Sequence, residues 1–353
     1  MAKKKVRVGV IGAGGIAGSQ IKALKEVEGV EVVALADVRA EACDKIKADH
    51  NLPDAKSFSD WKQLIKEPGI DAITVCTPNI LHKAPVIAAL NAGKHVMVEK
   101  PLAMNAKEGQ AMCDAAKKSG TVFTIGFQQR FRPDIQYVTR CVKDGMFGDI
   151  IYCRTKWMRR RGVPPWGVFG RKDLQGGGPM IDIGVHALDM AHYIAGRPAP
   201  IAASGACYTY MGNKKPETTP PWGEWDWKTY TVEDLAVGFV RFANGLTMAV
   251  ESSFIAHIEQ DILSIEVMGT KGGAIVGGPE QVKIFTDISG KMVNVTPSSL
   301  PENKSFAIKM HKWIAVIRGE EENDAPGEDG LMIQKILDAI YLSSERGKEV
   351  TIK

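Results

Sequence analysis

The sequence predicts an α/β protein in two parts: a parallel sheet covered by helices, then a mostly antiparallel sheet with a few helices. Three observations predict it. Short apolar runs alternate with segments of helical spacing from Val6 to about Gly126. Beyond Gly126, long strand candidates follow one another with few helices between them. The chain has 353 residues, which suggests roughly two domains at about 150 residues each. The expected division is 1–126 and 127–353.

In the first part, strands are expected at 6–11, 31–36, 72–76, 95–98 and 121–125. Helices are expected at 16–27, 39–49, 61–66, 84–92 and 106–119. The 84–92 segment has Pro85 in its first turn and Gly93 just past its end, the usual order for a helix. In the second part, helices fit 134–143, 182–195, 305–318 and 330–346. Strands fit 150–158, 201–210, 231–242, 246–254, 262–268, 274–276, 282–285 and 350–352. Asn244-Gly245 is a hairpin signal between two of them.

Composition excludes several classes. Hydrophobic residues make up 44% and charged residues 24%, as in an ordinary soluble globular protein and unlike a disordered, collagen-like or coiled-coil chain. A formal net charge of +4 is small for this length and speaks against a nucleic-acid or membrane-surface binder. No apolar run approaches the roughly 18 residues of a membrane span. The basic start, residues 1–5, precedes an apolar run too short and too broken for a signal peptide, so a cytoplasmic location is expected. Cys43, Cys76, Cys113, Cys141, Cys153 and Cys207 are scattered without a CxxC pair, which reads as reduced thiols.

Three places carry candidate chemistry. Gly12-Ala13-Gly14-Gly15-Ile16-Ala17 fits GxGxx(G/A) between a strand and a helix. Glycines let the backbone approach a pyrophosphate, and free N–H groups at the helix start bind its charge. Asp37, at the end of the second strand, suits the adenosine ribose hydroxyls. A carboxylate there favours NAD over NADP, although Arg39 could hold a 2′-phosphate.

The second place is Glu99-Lys100-Pro101, at a carboxyl strand end, where open α/β sheets bind ligands. A partly desolvated lysine there can act in proton transfer; alone, the tripeptide also reads as a surface turn. Thr77, Asn79 and His82 follow the preceding strand and are expected in the same cleft. The third place is the stripe Asp182, His186, Asp189 and Tyr193, on one face of a regular helix after Gly176-Gly177-Gly178-Pro179. An acid/base pair, a structural histidine, and a metal site that adds His192 are all open readings of it.

These motifs, with Gly126-Phe127-Gln128-Gln129-Arg130-Phe131 and Met180-Ile181-Asp182-Ile183-Gly184-Val185-His186, resemble those of the glucose–fructose oxidoreductase / inositol dehydrogenase (Gfo/Idh/MocA) family, in the family's order. The resemblance implies a Rossmann domain followed by an α/β domain whose open-faced sheet forms a homo-oligomer interface. It implies an NAD(P)-dependent oxidoreductase acting on a secondary hydroxyl of a sugar, inositol or glycoside, with catalysis by Lys100, Asp182 and His186 and no metal. Cofactor contacts are expected from Gly12, Gly14, Gly15, Ile16, Ala17, Asp37, Arg39, Thr77, Asn79, His82, Glu99, Lys100 and Gln128. Substrate contacts are expected from Lys100, Arg130, Trp157, Trp166, Asp182 and His186.

Residues 208–230 hold Tyr208, Tyr210, Trp222, Trp225, Trp227 and Tyr230, and Arg159-Arg160-Arg161 lies between Trp157 and Trp166. Aromatic faces stack on sugar rings and aglycones, so these loops suit a glycoside; an arm packed on a neighbouring subunit is the other reading. Two other functions fit the same frame. One is oxidation of a glycoside at C3 with retained NAD, ahead of glycosidic bond cleavage. The other is a non-catalytic cofactor-binding regulator, which the presence of both Lys100 and His186 disfavours.

Overall fold

The computed structural model describes residues 4–277 and 281–353, so the first three residues of the basic start lie outside it. The chain divides into two compact units. One runs to Phe131 and includes Lys304–Leu331; the other comprises Arg132–Asn303 and Met332–Lys353.

The first unit is built on strands β1 (Val6–Ile11), β2 (Val30–Ala36), β3 (Lys56–Phe58), β4 (Ala72–Val75), β5 (His95–Val98) and β6 (Phe123–Ile125). They form one parallel sheet in the order β3-β2-β1-β4-β5-β6. β1 and β4 are almost wholly buried, which is why they read as unbroken apolar runs. The strand order reverses between β1 and β4, and ligands of such sheets bind at that switch point. Helices α1 (Gly15–Lys25), α2 (Ala40–Asp49), α3 (Trp61–Lys66), α4 (Lys83–Asn91) and α5 (Ala106–Ser119) join the strands. The Asn105 side chain accepts the Glu108 N–H to start α5, and Gly120, left-handed at φ +68°, ends it.

The second unit carries helices α6 (Pro133–Lys143), α7 (Lys172–Gln175) and α8 (Val185–Ile194). Its strands are β7 (Ile150–Met158), β8 (Pro200–Tyr208), β9 (Leu235–Phe242), β10 (Thr247–Ser253), β11 (Ile262–Gly269), β12 (Gly272–Val276), β13 (Val282–Ile288), β14 (Lys291–Val295) and β15 (Val350–Thr351). Among the described residues these nine form one sheet, β14-β13-β12-β11-β7-β10-β9-β8-β15. Among the described residues β7 and β10 pair in parallel, and the other neighbouring strands pair antiparallel. Gly245 closes the β9–β10 hairpin at φ +87°, as Asn244-Gly245 predicts. Gly205 and Gly238 admit Ile340 against the sheet: a Cβ on either would stand 2.7 or 2.6 Å from that side chain.

Helix α9 (Ser305–Arg318) belongs to the first unit. Its Met310, Trp313, Ile314 and Ile317 share a core with Ala17, Ile21 and Leu24 of α1. The single boundary expected at 126/127 therefore differs from the folded units, because the apolar face of α9 is buried on the first sheet's helical layer. The strand expected at 231–242 starts only at Leu235: the Asp234 carboxylate takes the N–H groups of Tyr210, Met211 and Gly212 and holds the preceding segment as loop. The short strands β3 and β14 carry no distinct apolar signal and were not expected.

Candidate active site

The glycine turn after β1 has the geometry of a phosphate cradle. Gly12 sits at φ +92°, and a Cβ there would lie 2.7 Å from the Cys76 carbonyl oxygen and 3.0 Å from the Thr77 nitrogen. A Cβ on Gly14 or Gly15 would meet nothing within 4 Å, so this side of the turn is open. The α1 N-terminus has no side-chain cap and no acidic residue in its first turn, which leaves its N–H groups for an anion. Ala17 is fully buried at the α1–sheet contact, and Ile16 packs at the edge of the same core. Asp37 Oδ2 accepts the Ala13 N–H at 2.9 Å and Oδ1 accepts the Arg39 N–H at 3.0 Å, with Arg39 Nε 3.6 Å from Oδ1. An adjoining cleft of about 510 Å³ is lined by Gly14, Gly15, Lys22, Arg39 and Lys45, among others.

Gly12→Ala is expected to disable the cradle. The alanine would be strained by its positive φ, at about 1–3 kcal/mol, and its methyl would press on the Cys76 carbonyl. A thermal melt and an NADH titration check this; an alanine variant of wild-type stability and affinity would contradict it.

At the carboxyl ends of β4 and β5 a buried polar network surrounds Glu99. Gln20 Nε2 donates to Glu99 Oε1 at 2.5 Å, and the Gln20 amide oxygen accepts from the Thr74 hydroxyl. Lys309 Nζ donates to the same Oε1 at 3.0 Å, and the Lys100 backbone N–H approaches Glu99 Oε2 at 3.3 Å. Burial pushes the Glu99 carboxyl up, but the Lys309 and Lys100 charges and the hydrogen bonds outweigh it and hold the group below the usual carboxylate range. Burial, helped by the Glu99 charge, pushes the Cys76 thiol up to about 12. A Cβ on Gly126 would touch the Glu99 carboxylate at 2.9 Å, so this position of the expected motif makes room for the network. Buried Thr77 Oγ1 and Gln128 Oε1 make no hydrogen bond within the protein, and a bound dinucleotide offers polar groups of the kind they need.

In the second unit, Met180–Gly184 forms a π-helical turn that runs into α8. The expectation of one helix over 182–195 is corrected: a π-helical turn runs to Gly184 and the α-helix proper starts at Val185. Asp182 is half-buried, His186 is nearly buried, and Asp189 lies wholly in the core. The turn is held from a distance. Glu233 Oε2 accepts the Gly178 N–H at 2.9 Å, and Oε1 accepts the Met180 N–H at 3.1 Å and the Tyr341 hydroxyl at 2.8 Å. A side chain on Gly177 would overlap the Tyr341 hydroxyl. The His186 ring lies 5.7 Å from Trp157 at an angle of 37°.

Family models match nearly the whole chain: "Oxidoreductase family, NAD-binding Rossmann fold" over residues 6–127, and "Oxidoreductase family, C-terminal alpha/beta domain" over residues 139–352. The chain belongs to the Gfo/Idh/MocA oxidoreductase family. It is 34% identical over 354 aligned residues to D-glucoside 3-dehydrogenase of Escherichia coli, covering 100% of this chain and 99% of that one. It is 28% identical to myo-inositol 2-dehydrogenase of Thermotoga maritima, with 99% of each covered. Among solved structures, levoglucosan dehydrogenase in complex with NADH and levoglucosan superposes with a TM-score of 0.85 at 24% identity, covering 99% of this chain and 100% of that one. The α/β fold with an NAD-binding Rossmann domain and an oxidoreductase activity follow from the family.

Within this family frame, two expected site residues have structural partners instead. Arg130 is fully buried: Nη1 donates to Asp329 Oδ2 and to the Asp324 carbonyl, each at 2.6 Å, and the guanidinium lies 5.0 Å over Phe127. Its Nη1 thus ties the turn after β6 to the segment that holds Asp324 and Asp329. His82 is likewise buried, with Nδ1 3.0 Å from the Pro101 carbonyl and Nε2 3.0 Å from the Thr77 carbonyl. It braces the two loops that carry Thr77 and Lys100, and does not line the cleft itself. Asn79 is buried in the turn Asn79–Leu81 next to it. His192, which the metal reading adds to the stripe, is buried and stacked on Phe242, with Nε2 2.9 Å from the Pro198 carbonyl. Among the described residues, no three His, Cys, Asp or Glu side chains gather as a metal site. None of their helices is long and apolar enough to cross a membrane.

Sequence reasoning missed Gln20, Thr74, Lys309, Glu233 and Asp234. Each acts on a partner far along the chain, so no local pattern announces it.

Proposed function

We propose that the protein oxidises a secondary ring hydroxyl of a glucoside, at C3, using NAD. The observation that carries this is the 34% identity to D-glucoside 3-dehydrogenase over 99% of that protein's length, in a chain that has Lys100, Asp182 and His186. The glycine turn at Gly12, Gly14 and Gly15 would hold NAD, which would supply the hydride acceptor for the carbinol carbon. His186 takes the hydroxyl proton on a ring nitrogen, and Trp157 against its ring fixes the imidazole plane. The Lys100 ammonium donates a hydrogen bond to the same oxygen and assists relay of the proton. Asp182 orients the site and stabilises the protonated imidazole. Gly12, Gly14, Gly15, Thr77 and Gln128 are the cofactor contacts that the cradle and the orphaned polar atoms support.

Asp37 supports NAD over NADP, because a carboxylate at the end of the second strand suits ribose hydroxyls and repels a 2′-phosphate. Asp37→Ser is expected to shift the NADP/NAD ratio of kcat/KM upward by about tenfold, or about 1.4 kcal/mol. Steady-state assays with both cofactors measure it, and an unchanged ratio removes Asp37 from that role.

We further assign the second unit's sheet to self-association. Phe239, Met268, Phe285 and Met292 remain exposed along β9 to β14, more apolar surface than a solvated sheet needs. The deciding experiment for the reaction is NADH formation with a panel of methyl glucoside, free glucose and myo-inositol, with NMR of the product. Fastest turnover with the glucoside and a 3-keto product are expected. A clear preference for inositol, or a carbonyl elsewhere on the ring, overturns the substrate assignment.

A further inference from the structure

Trp157 lies near the end of β7, and Arg159 is the first residue beyond it. Trp157 meets the His186 ring. The Arg159 guanidinium lies 4.6 Å over the Trp222 ring and 5.3 Å over Phe254, and Nη1 donates to the Gly162 carbonyl at 2.9 Å. The Asp182 charge acts on the same guanidinium. Trp222 in turn stacks on Trp166, with ring centres 5.7 Å apart and planes 27° apart. His186 thus meets Trp157, Trp157 packs on the cluster that holds Phe254, and Arg159 lies over both Phe254 and Trp222.

That pair is open to solvent, with Trp166 57% and Trp222 40% exposed. The loop does not need them for its own packing. Trp225 is its anchor, 5% exposed, with Nε1 bonded to the Gly212 carbonyl at 2.7 Å, in one core with Val163, Ile183, Phe254 and Tyr230. The Asp234 carboxylate fixes the loop's start. Trp222 is held by Arg159 over its ring and by Trp166 stacked on it, and together the two tryptophans keep aromatic surface open to solvent. A preset aromatic face takes a flat apolar surface: an aryl ring, or the C–H face of a pyranose. The Arg159 cation is already engaged by two rings and a carbonyl, so the platform suits an uncharged ring.

We propose that Trp222, oriented by Arg159 and Trp166, is the subsite for the aglycone of the glycoside, the ring beyond the sugar that is oxidised. The inference rests on the proposed reaction, in which His186 faces the oxidised sugar. It adds a specificity-determining residue and a class of ligand: glycosides with a ring-shaped aglycone, aromatic or sugar.

The test compares wild type with Trp222→Ala and Trp222→Phe on methyl glucoside, phenyl glucoside and a glucosyl disaccharide. Trp222→Ala is expected to raise KM for phenyl glucoside, relative to that for methyl glucoside, about 5- to 10-fold. Trp222→Phe is expected to restore most of that ratio. A similar rise with the disaccharide alone identifies a sugar as the second ring. Equal changes for all three substrates overturn the subsite. So does a change of sedimentation coefficient in Trp222→Ala with no change in the KM ratio, which makes the pair a subunit contact. If wild type oxidises no glycoside, the proposed reaction falls, and calorimetry on phenyl glucoside then decides the subsite separately. Heat of binding lost in Trp222→Ala supports it; equal or absent heat in both proteins overturns it.

Discussion

Lys100→Met is expected to lower kcat by about 10²–10⁴-fold, the range for losing a positioned proton-transfer group, while NADH affinity changes little. The argument is one of placement. Lys100 follows β5 directly, and its backbone N–H points at the buried Glu99 carboxylate, so the main chain at this residue is fixed independently of the side chain. Methionine keeps the unbranched stem and deletes only the ammonium, which leaves the packing intact. The cradle around Gly12 and Asp37 is built from other loops and is untouched. Stopped-flow measurement of the first turnover isolates the chemical step, and a fluorescence titration gives NADH affinity. A first-turnover rate near wild type would remove Lys100 from the chemistry. A parallel collapse of NADH affinity would make it a cofactor contact instead.

Much of this site was legible before folding. The cradle is a local motif: glycines, a preceding apolar run and an acid some two dozen residues on all lie within one βαβ unit, so chain order and space coincide. The same holds for Lys100 at a strand end. Legibility fails where position depends on a remote partner. Asp182, His186 and Asp189 have helical spacing, but Glu233 holds the Gly178 and Met180 N–H groups ahead of Asp182, and Met180–Gly184 winds as a π turn. Arg130 has the composition of a ligand contact, and only the arrival of Asp324 and Asp329 converts it into a strut. The period of 305–318 announces an amphipathic helix without saying which core its apolar face will enter. Sequence patterns report which face of an element is apolar; the partner for that face is a property of the tertiary fold.

The largest effect on stability is expected from Lys309→Met. Lys309 is 1% exposed and its ammonium is bonded to Glu99. Breaking a buried ion pair by removing one partner costs about 3–5 kcal/mol, because the remaining charge stays buried without compensation. The sign of its pH dependence identifies the cause. In wild type the Glu99 carboxyl is held below its ordinary value, so its contribution is present above the unfolded-state value of about 4.3 and is lost only as pH falls through the lower folded-state value. Without Lys309, burial becomes the larger influence and raises the carboxyl. The variant's deficit then grows as pH rises through the unfolded value toward the raised folded one, and shrinks on acidification. Denaturant melts from neutral to mildly acidic pH should therefore show Lys309→Met approaching wild-type stability toward the acid end. Glu99→Gln combined with Lys309→Met removes both charges and is expected to recover stability at neutral pH relative to Lys309→Met alone, since a neutral amide can still bond Gln20. A Lys309→Met deficit that is flat with pH and untouched by the second substitution would show that the lysine's stem, packed with its Nζ 5.0 Å from the Phe306 ring, matters more than its charge. Recovery in the double variant would show instead that the ion pair exists to keep a carboxylate ionised beneath Lys100, since the fold itself can be held without either charge.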